Sequence, residues 1–285
     1  MTGRRGWGLS DLPTGQIVAG AFVQYWRESR RLGIADVRGP VRLSHSEMSR
    51  VESGSRPLTP AEADTLLAGP YQVTAPGREG FARLLHEVAF AVKHPAVPVH
   101  MVSDSGAGWT DRVAALEHRA IRARVYSQRL IPGFLRTPDY TAHLPLPPDE
   151  HAQITRPASI GECTAVVLEE AVLTYPLGGP AVFAGQIQHL IDAVDDRRIQ
   201  LRIHPVDSDV HGEIEHLTEF VLPDGTWIYA IEDSHATYHS GLTAERRMGS
   251  FLDRVTAAAL PEDRSRELLR LALDKTLAGD RLRLP

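Results

Sequence analysis

The sequence predicts an α+β fold: an all-α N-terminal domain of five helices, then an α+β domain with a small, mainly antiparallel sheet and C-terminal helices. Three observations carry this. The 285 residues exceed one small domain and fit about two. Apolar residues recur at helical spacing in the first third, whereas short β-rich runs alternate with helical patterns later. Between these regions "PAVPVHMVSDSGAG" is rich in Pro, Gly and Ser and reads as a hinge. The resulting organisation is a mobile arm over 1–14, a helical domain over 15–95, a linker over 96–108 and an α+β domain over 109–285.

The elements run in order along the chain. Ile17, Val18, Phe22, Val23 and Trp26 mark a helix from Gln16 to Leu32, with Gly33 as its C-cap. A second helix, Ile34 to Arg42, is interrupted by Gly39-Pro40. Ser44 caps a third that runs to about Ser53 and stops at Gly54. Thr59, Pro60 and Glu62 start a fourth, and "GREGFARLLHEVAFAVKH" is the fifth. Later, "WTDRVAALEHRAIRARVYSQR" is a helix or a helix running into a strand, and "LIPGFLRTPDY" a turn. Ala165 to Leu168 is a strand, "GGPAVFAGQIQHLIDAVDD" a helix and "IQLRIHPV" another strand. A hairpin turns at Pro223-Asp224-Gly225, and helices fill the chain from Thr243.

Composition bounds the functional classes. An apolar content of 42% with 24% charged residues suits a soluble globular protein with a sizeable core. No apolar run approaches the ~20 residues of a membrane span, and the N-terminus has no apolar stretch behind its arginines. The expectation is a cytoplasmic protein with no membrane partner. The lone Cys163 allows no internal disulfide and reads as a small buried hydrophobe. Residues 1–60 carry nine arginines and five acids, which leaves −9 on the remainder of a chain of net charge −5. A basic N-terminal module on an acidic body suggests that the former faces a polyanion.

"LSHSEMSRVESG" carries the clearest chemistry. A helix-turn-helix braces the phosphate backbone with one helix and inserts the leading turn of the next into the major groove. Here Ser44, His45, Ser46 and Glu47 form such a leading turn. Hydroxyls and imidazole bond base edges or phosphates, and a glutamate accepts from a cytosine amino group. Ser49 and Arg50 come next, and Arg42 and Arg56 flank the helix as phosphate contacts. Met48 and Val51 form its buried face, and Glu52 holds a helix end or a neighbouring arginine. By spacing alone, a short capped helix of any helical protein fits equally well.

The wider stretch "LSHSEMSRVESGSRPLTPAEADTLL" resembles the Xre/Cro-type regulators, with their Ser-x-Ser-x-x-Ser-Arg-x-Glu-x-Gly pattern at Ser44, Ser46, Ser49, Arg50, Glu52 and Gly54. The second half is similar to a bacterial domain of unknown function found in antitoxin-like transcriptional regulators. That likeness is carried by "WTDRVAALEHRAIRARVYSQRLIPGFLRTPDY", "VVLEEAVLTYPLGGPAVFAGQIQHLIDAVDDRRIQLRIHPV" and "LTEFVLPDGTWIYAIE". Together the resemblance spans about Gly20 to Leu277. It implies DNA binding with a body that senses a small effector or a small partner protein, and the expectation is a homodimer on double-stranded DNA. Trp109, Tyr126, Phe134 and Tyr140 are the candidates to line an effector pocket, with a place in the apolar core as the alternative for each.

Three features depart from the pattern. Gly39-Pro40 falls inside the expected second helix, where a proline costs about 3 kcal/mol. Ala35 stands where a polar residue usually opens that helix, and the chain between Tyr140 and Thr164 is shortened. The first two support an alternative, a regulator-like scaffold recruited as an enzyme or small-molecule-binding protein with DNA binding lost, and the third bears on the pocket or partner surface.

Thirteen histidines bear on that alternative. They concentrate in "HPVDSDVHGEIEH", beginning at His204, and in "EDSHATYHS". An enzyme would draw on His211, Glu213, His216, His235 and His239, gathered across the hairpin for general acid/base work. His235 and His239 share a spacing that places zinc ligands on one helix face, but no glutamate follows His235 and the context is turn-like. No metal, cofactor or catalytic residue is expected. Glu169 and Glu170 end a strand and read as ties within the fold, and Gly178-Gly179-Pro180 as a plain helix start.

Overall fold

The computed structural model describes residues 12–94, 96–144, 163–210 and 214–279. Most of the expected arm and the shortened stretch over 145–162 lie outside these residues. The chain divides into two compact units, Met1–Ala120 with Phe220–Glu245 and Ile121–Glu219 with Arg246–Pro285.

The first unit opens with helices α1 (Thr14–Ser29), α2 (Ile34–Arg38), α3 (His45–Glu52), α4 (Pro60–Ala68) and α5 (Ala75–Lys93), where periodicity places five helices. α1 buries Ile17, Val18, Phe22 and Val23, and Phe22 packs on Phe81 of α5 with ring centroids 4.8 Å apart. Each such side chain contributes ~1.5–3 kcal/mol through burial. α3 and α4 start with reciprocal caps. Glu47 N–H donates to Ser44 Oγ at 3.2 Å while Ser44 N–H donates to Glu47 Oε2 at 2.9 Å. Thr59 and Glu62 repeat the arrangement, with Pro60 in the first turn of α4.

Gly39-Pro40 ends α2 without displacing α3. Arg42 N–H donates to Gly39 O and Leu43 N–H to Arg38 O, both at 3.0 Å. With Arg42 at φ 54°, these two bonds form a Schellman-type closure. Pro40 lies within that closing turn, so its missing N–H shortens α2 but leaves α3 seated. The second helix is therefore Ile34–Arg38 rather than Ile34 to Arg42.

Seven strands, β1 (Met101–Asp104), β2 (Arg122–Ser127), β3 (Cys163–Glu169), β4 (Gln200–His204), β5 (His216–Val221), β6 (Trp227–Glu232) and β7 (Ala236–His239), form a mixed sheet in the order β1-β7-β6-β5-β2-β3-β4. This corrects the expected small, mainly antiparallel sheet. β2, β3 and β4 run parallel, in register from Arg122↔Cys163 to Ser127↔Leu168 and from Ala165↔Gln200 to Glu169↔His204. Val166, Val167, Leu168, Leu201 and Ile203 are all buried, as parallel strands covered on both faces require.

Residues 96–108, expected as a linker, contain β1, which pairs antiparallel with β7 from Met101↔His239 to Asp104↔Ala236. Its alternation of exposed and buried residues spans only four positions amid Pro, Gly and Ser, too short to stand out in the sequence. α6 (Trp109–Arg119) comes next. Its fully buried Arg112 donates twice to the Asp104 carboxylate and once to Gly106 O, closing the intervening loop.

In the second unit β2 leads through a 3-10 turn (Gly133–Leu135) to α7 (Pro138–Thr141). Between β3 and β4 lies α8 (Gly179–Asp195), and α9 (Gly241–Ala244), α10 (Ser250–Ala258) and α11 (Glu262–Ala278) follow among the described residues. One core cluster joins Val125, Leu168 and Ile203 of the strands to Phe183, Ile187 and Leu190 of α8 and Leu269 of α11. Gln186, fully buried in α8, accepts Thr137 N–H and donates to Leu135 O, both at 2.7 Å. These bonds pin the "LIPGFLRTPDY" turn. Among the described residues, no helix is long and apolar enough to cross a membrane.

Candidate functional site

α3 presents a polar face on a rigid seat. Ser44, His45, Ser46, Ser49 and Arg50 are exposed, whereas Met48 and Val51 are buried. Behind them Arg27 of α1 grips the Glu52 carboxylate with bonds of 2.6 and 2.9 Å, and Arg119 donates to the Glu52 carbonyl. The hydrogen bond to Glu52 raises the Arg27 pKa against the opposing effect of burial. Two glycines let the backbones touch. A Cβ on Gly20 of α1 would stand 2.6 Å from the Val51 and Glu52 carbonyl oxygens. One on Gly54, at φ 79°, would stand 2.9 Å from Ile17 Cα. The Glu-x-Gly of the sequence pattern thus fastens the helix, and its Ser and Arg positions face solvent.

Not every flanking charge is free. The Glu47 carboxylate accepts from the Ser44 hydroxyl at 2.6 Å. That bond, with the one from Ser44 N–H, holds its pKa below the usual carboxylate range. Glu47 is therefore engaged as a cap. Arg56 donates to Glu62 at 2.7 Å, which raises its pKa and matches its charge. Arg42 and Arg50 are exposed and have no ion pair among the described residues.

A second polar group gathers where the parallel strands end. Glu169 and His204 are register partners closing β3 and β4, beside Tyr126 near the end of β2. The Tyr126 hydroxyl donates to Glu169 Oε1 at 2.6 Å and accepts from Gln128 Nε2 at 3.0 Å. Burial first, then the bond to Glu169, pushes the Tyr126 pKa up. His204 is fully buried. Its Nδ1 lies 3.1 Å from Glu169 Oε1, outside hydrogen-bonding alignment, and neither ring nitrogen has a hydrogen-bond partner among the described residues. Carboxyl ends of parallel strands are where open α/β sheets place ligands.

His211 and Glu213 lie outside the described residues. His216 Nδ1 sits 3.0 Å from Ser127 Oγ, whose own proton goes to Leu130 O at 2.6 Å. Ser127 then accepts from His216, the reverse of a nucleophile activated by a base. His235 and His239 flank and end a strand in the first unit, not a helix, so the zinc-helix geometry does not arise. No group of three or more His, Cys, Asp or Glu able to hold a metal occurs among the described residues.

The four aromatic candidates are divided between the two units. Trp109 belongs to the first unit, and Tyr126, Phe134 and Tyr140 to the second. Tyr140 is part of the apolar core and Phe134 packs against it, so of the four only Tyr126 joins the polar group. Gln128 and Ser127 carry no sequence signal beyond their place after an apolar strand run.

No curated protein matches the chain. A family model described as a domain of unknown function (DUF5753) matches residues 110–271, more than half of the 285 residues. The match covers the region whose likeness to a bacterial domain of unknown function was expected. It takes in β2 to β4, with Tyr126, Glu169 and His204. The chain belongs to the DUF5753 family.

Proposed function

We propose that this protein is a DNA-binding transcriptional regulator of helix-turn-helix type, whose DUF5753 region binds a small effector or a protein partner. One observation carries the reading: an exposed Ser/His/Arg face on a short helix that is clamped from behind by Arg27–Glu52 and by two glycine contacts. Hydroxyl, imidazole and guanidinium groups are the donors and acceptors that base edges and phosphates accept. Ser44, His45, Ser46 and Ser49 are the base-edge and phosphate groups in this reading, and Arg42 and Arg50 the phosphate contacts. A homodimer would set two copies of α3 about 34 Å apart, one helical turn of DNA. Tyr126, Glu169 and His204 are the proposed effector-contacting groups.

The test is a mobility-shift experiment with the full chain and fragmented genomic DNA from its host, at low and moderate salt. A complex is expected whose affinity falls steeply with salt, with a slope of about −0.9 per phosphate contact. Absence of any salt-sensitive complex at low ionic strength sinks the reading. The shortness of α2, five residues, favours a second one: a small-molecule binder on the same scaffold with no operator. Ligand binding by a protein that forms no DNA complex would support it.

A further inference from the structure

A groove in the first unit has no part in DNA or effector binding as proposed. It encloses about 190 Å³ between α1, the end of α3 with its following loop, and α5. Ala19, Val51, Leu58, Val88 and Val92 make it apolar. The polar groups that line it are Gln16, Arg56 and Lys93, and no carboxylate does. Glu62 already neutralises Arg56. Lys93 is exposed and has no ion pair among the described residues. An apolar hollow therefore opens beside one uncompensated cation and an amide.

The volume selects the ligand's size. An apolar cavity of ~150 Å³ admits benzene and stays dry when empty, so this groove accommodates a ring or short branched chain with one substituent. Its charge selects the substituent, since an ammonium at an apolar mouth favours an anion there. We infer that the groove binds a small apolar carboxylate of about benzoate size. Its hydrocarbon part lies among Val51, Leu58, Val88 and Val92, and its carboxylate meets Lys93 and the Gln16 amide. Because Val51 belongs to α3, an occupant bears on the seat of that helix. Any consequence for DNA rests on the regulator reading; the binding itself does not.

The experiment is a methyl-NMR titration of the full chain without DNA, using benzoate and the neutral benzyl alcohol as probes. Benzoate is expected to shift the Val51, Leu58, Val88 and Val92 methyls saturably, leaving Leu269 unmoved. Benzyl alcohol should bind roughly threefold more weakly, the scale of one exposed ion pair. Lys93→Gln should remove that difference and Lys93→Arg restore it. Ala89→Trp places a ring in the groove from an exposed position and should abolish the shifts. The absence of saturable shifts, their survival in Ala89→Trp, or equal binding of both probes to the unmodified protein would each overturn the assignment. Normal benzoate binding by a protein that forms no DNA complex counts against the regulator reading alone.

Discussion

α3 and the edge formed by β2, β3 and β4 hold their polar side chains in opposite ways. On α3 the serines and Arg50 face water, and apolar Met48 and Val51 anchor the helix. At the strand edge Glu169 and His204 are buried, and the Tyr126 hydroxyl is committed to Glu169. Exposed polar groups stay solvated and, the Ser44 cap aside, contribute little to stability. A buried hydroxyl such as that of Tyr126 depends on a partner inside the protein, and removing Glu169 strands it. The contrast separates a solvated polar face from a buried polar cluster, and each half can be broken separately.

The largest effect is expected at the strand edge. Glu169→Ala removes the acceptor of the Tyr126 hydroxyl and should cost about 3 kcal/mol in urea unfolding. A loss within the ±0.5 kcal/mol usual for surface substitutions would erase the contrast. Next comes the clamp behind α3. Arg27→Ala leaves the nearly buried Glu52 carboxylate without its main partner and should cost about 2 kcal/mol. Arg27→Met combined with Glu52→Leu should recover much of that loss, a coupling that a double-mutant cycle reads directly.

The caps come third. Ser44→Ala removes the acceptor for Glu47 N–H and should cost about 1 kcal/mol. The partner cap also predicts a pH response. The folded pKa of Glu47 lies below its ordinary value, held down by the Ser44 hydroxyl and backbone N–H. Its contribution is complete above the unfolded value of about 4.3, and is lost as pH falls through the lower folded value. Amide shifts of α3 should titrate there, and in Ser44→Ala the midpoint should move up towards 4.3. The smallest stability effect belongs to the face itself. Arg50→Ala should change unfolding by no more than about 0.5 kcal/mol, while flattening the salt slope of DNA binding by about 0.9. A large loss of stability with an unchanged slope would make Arg50 a structural residue.

Local elements were legible where one signal sufficed. The caps Ser44/Glu47 and Thr59/Glu62, the five N-terminal helices and the hairpin at Pro223-Asp224-Gly225 rest on spacing and turn chemistry within a few residues. Glu52 was legible as a residue that holds something, and Arg27, twenty-five positions away, is what it holds. β1 escaped notice because four alternating residues give too little pattern, and only pairing with β7 makes them a strand. Whether Tyr140 lines a cavity or fills a core was not legible, because it carries the same apolar signature in either place; its position in the core cluster comes from the structure.

The sequence by itself determined the local conformations, the buried faces of the helices and the exposed serines and arginine of α3. Capping and amphipathic period act over one or two turns and are written in neighbouring residues. Only the tertiary structure decided that β2, β3 and β4 run parallel and that Tyr126, Glu169 and His204 meet at their ends. It alone decided that the Gly39-Pro40 turn leaves α3 seated on α1. The physical reason is range. Strand partners, buried polar contacts and backbone approaches through Gly20 and Gly54 join residues far apart in the chain, and side-chain packing selects among pairings that local pattern leaves equal.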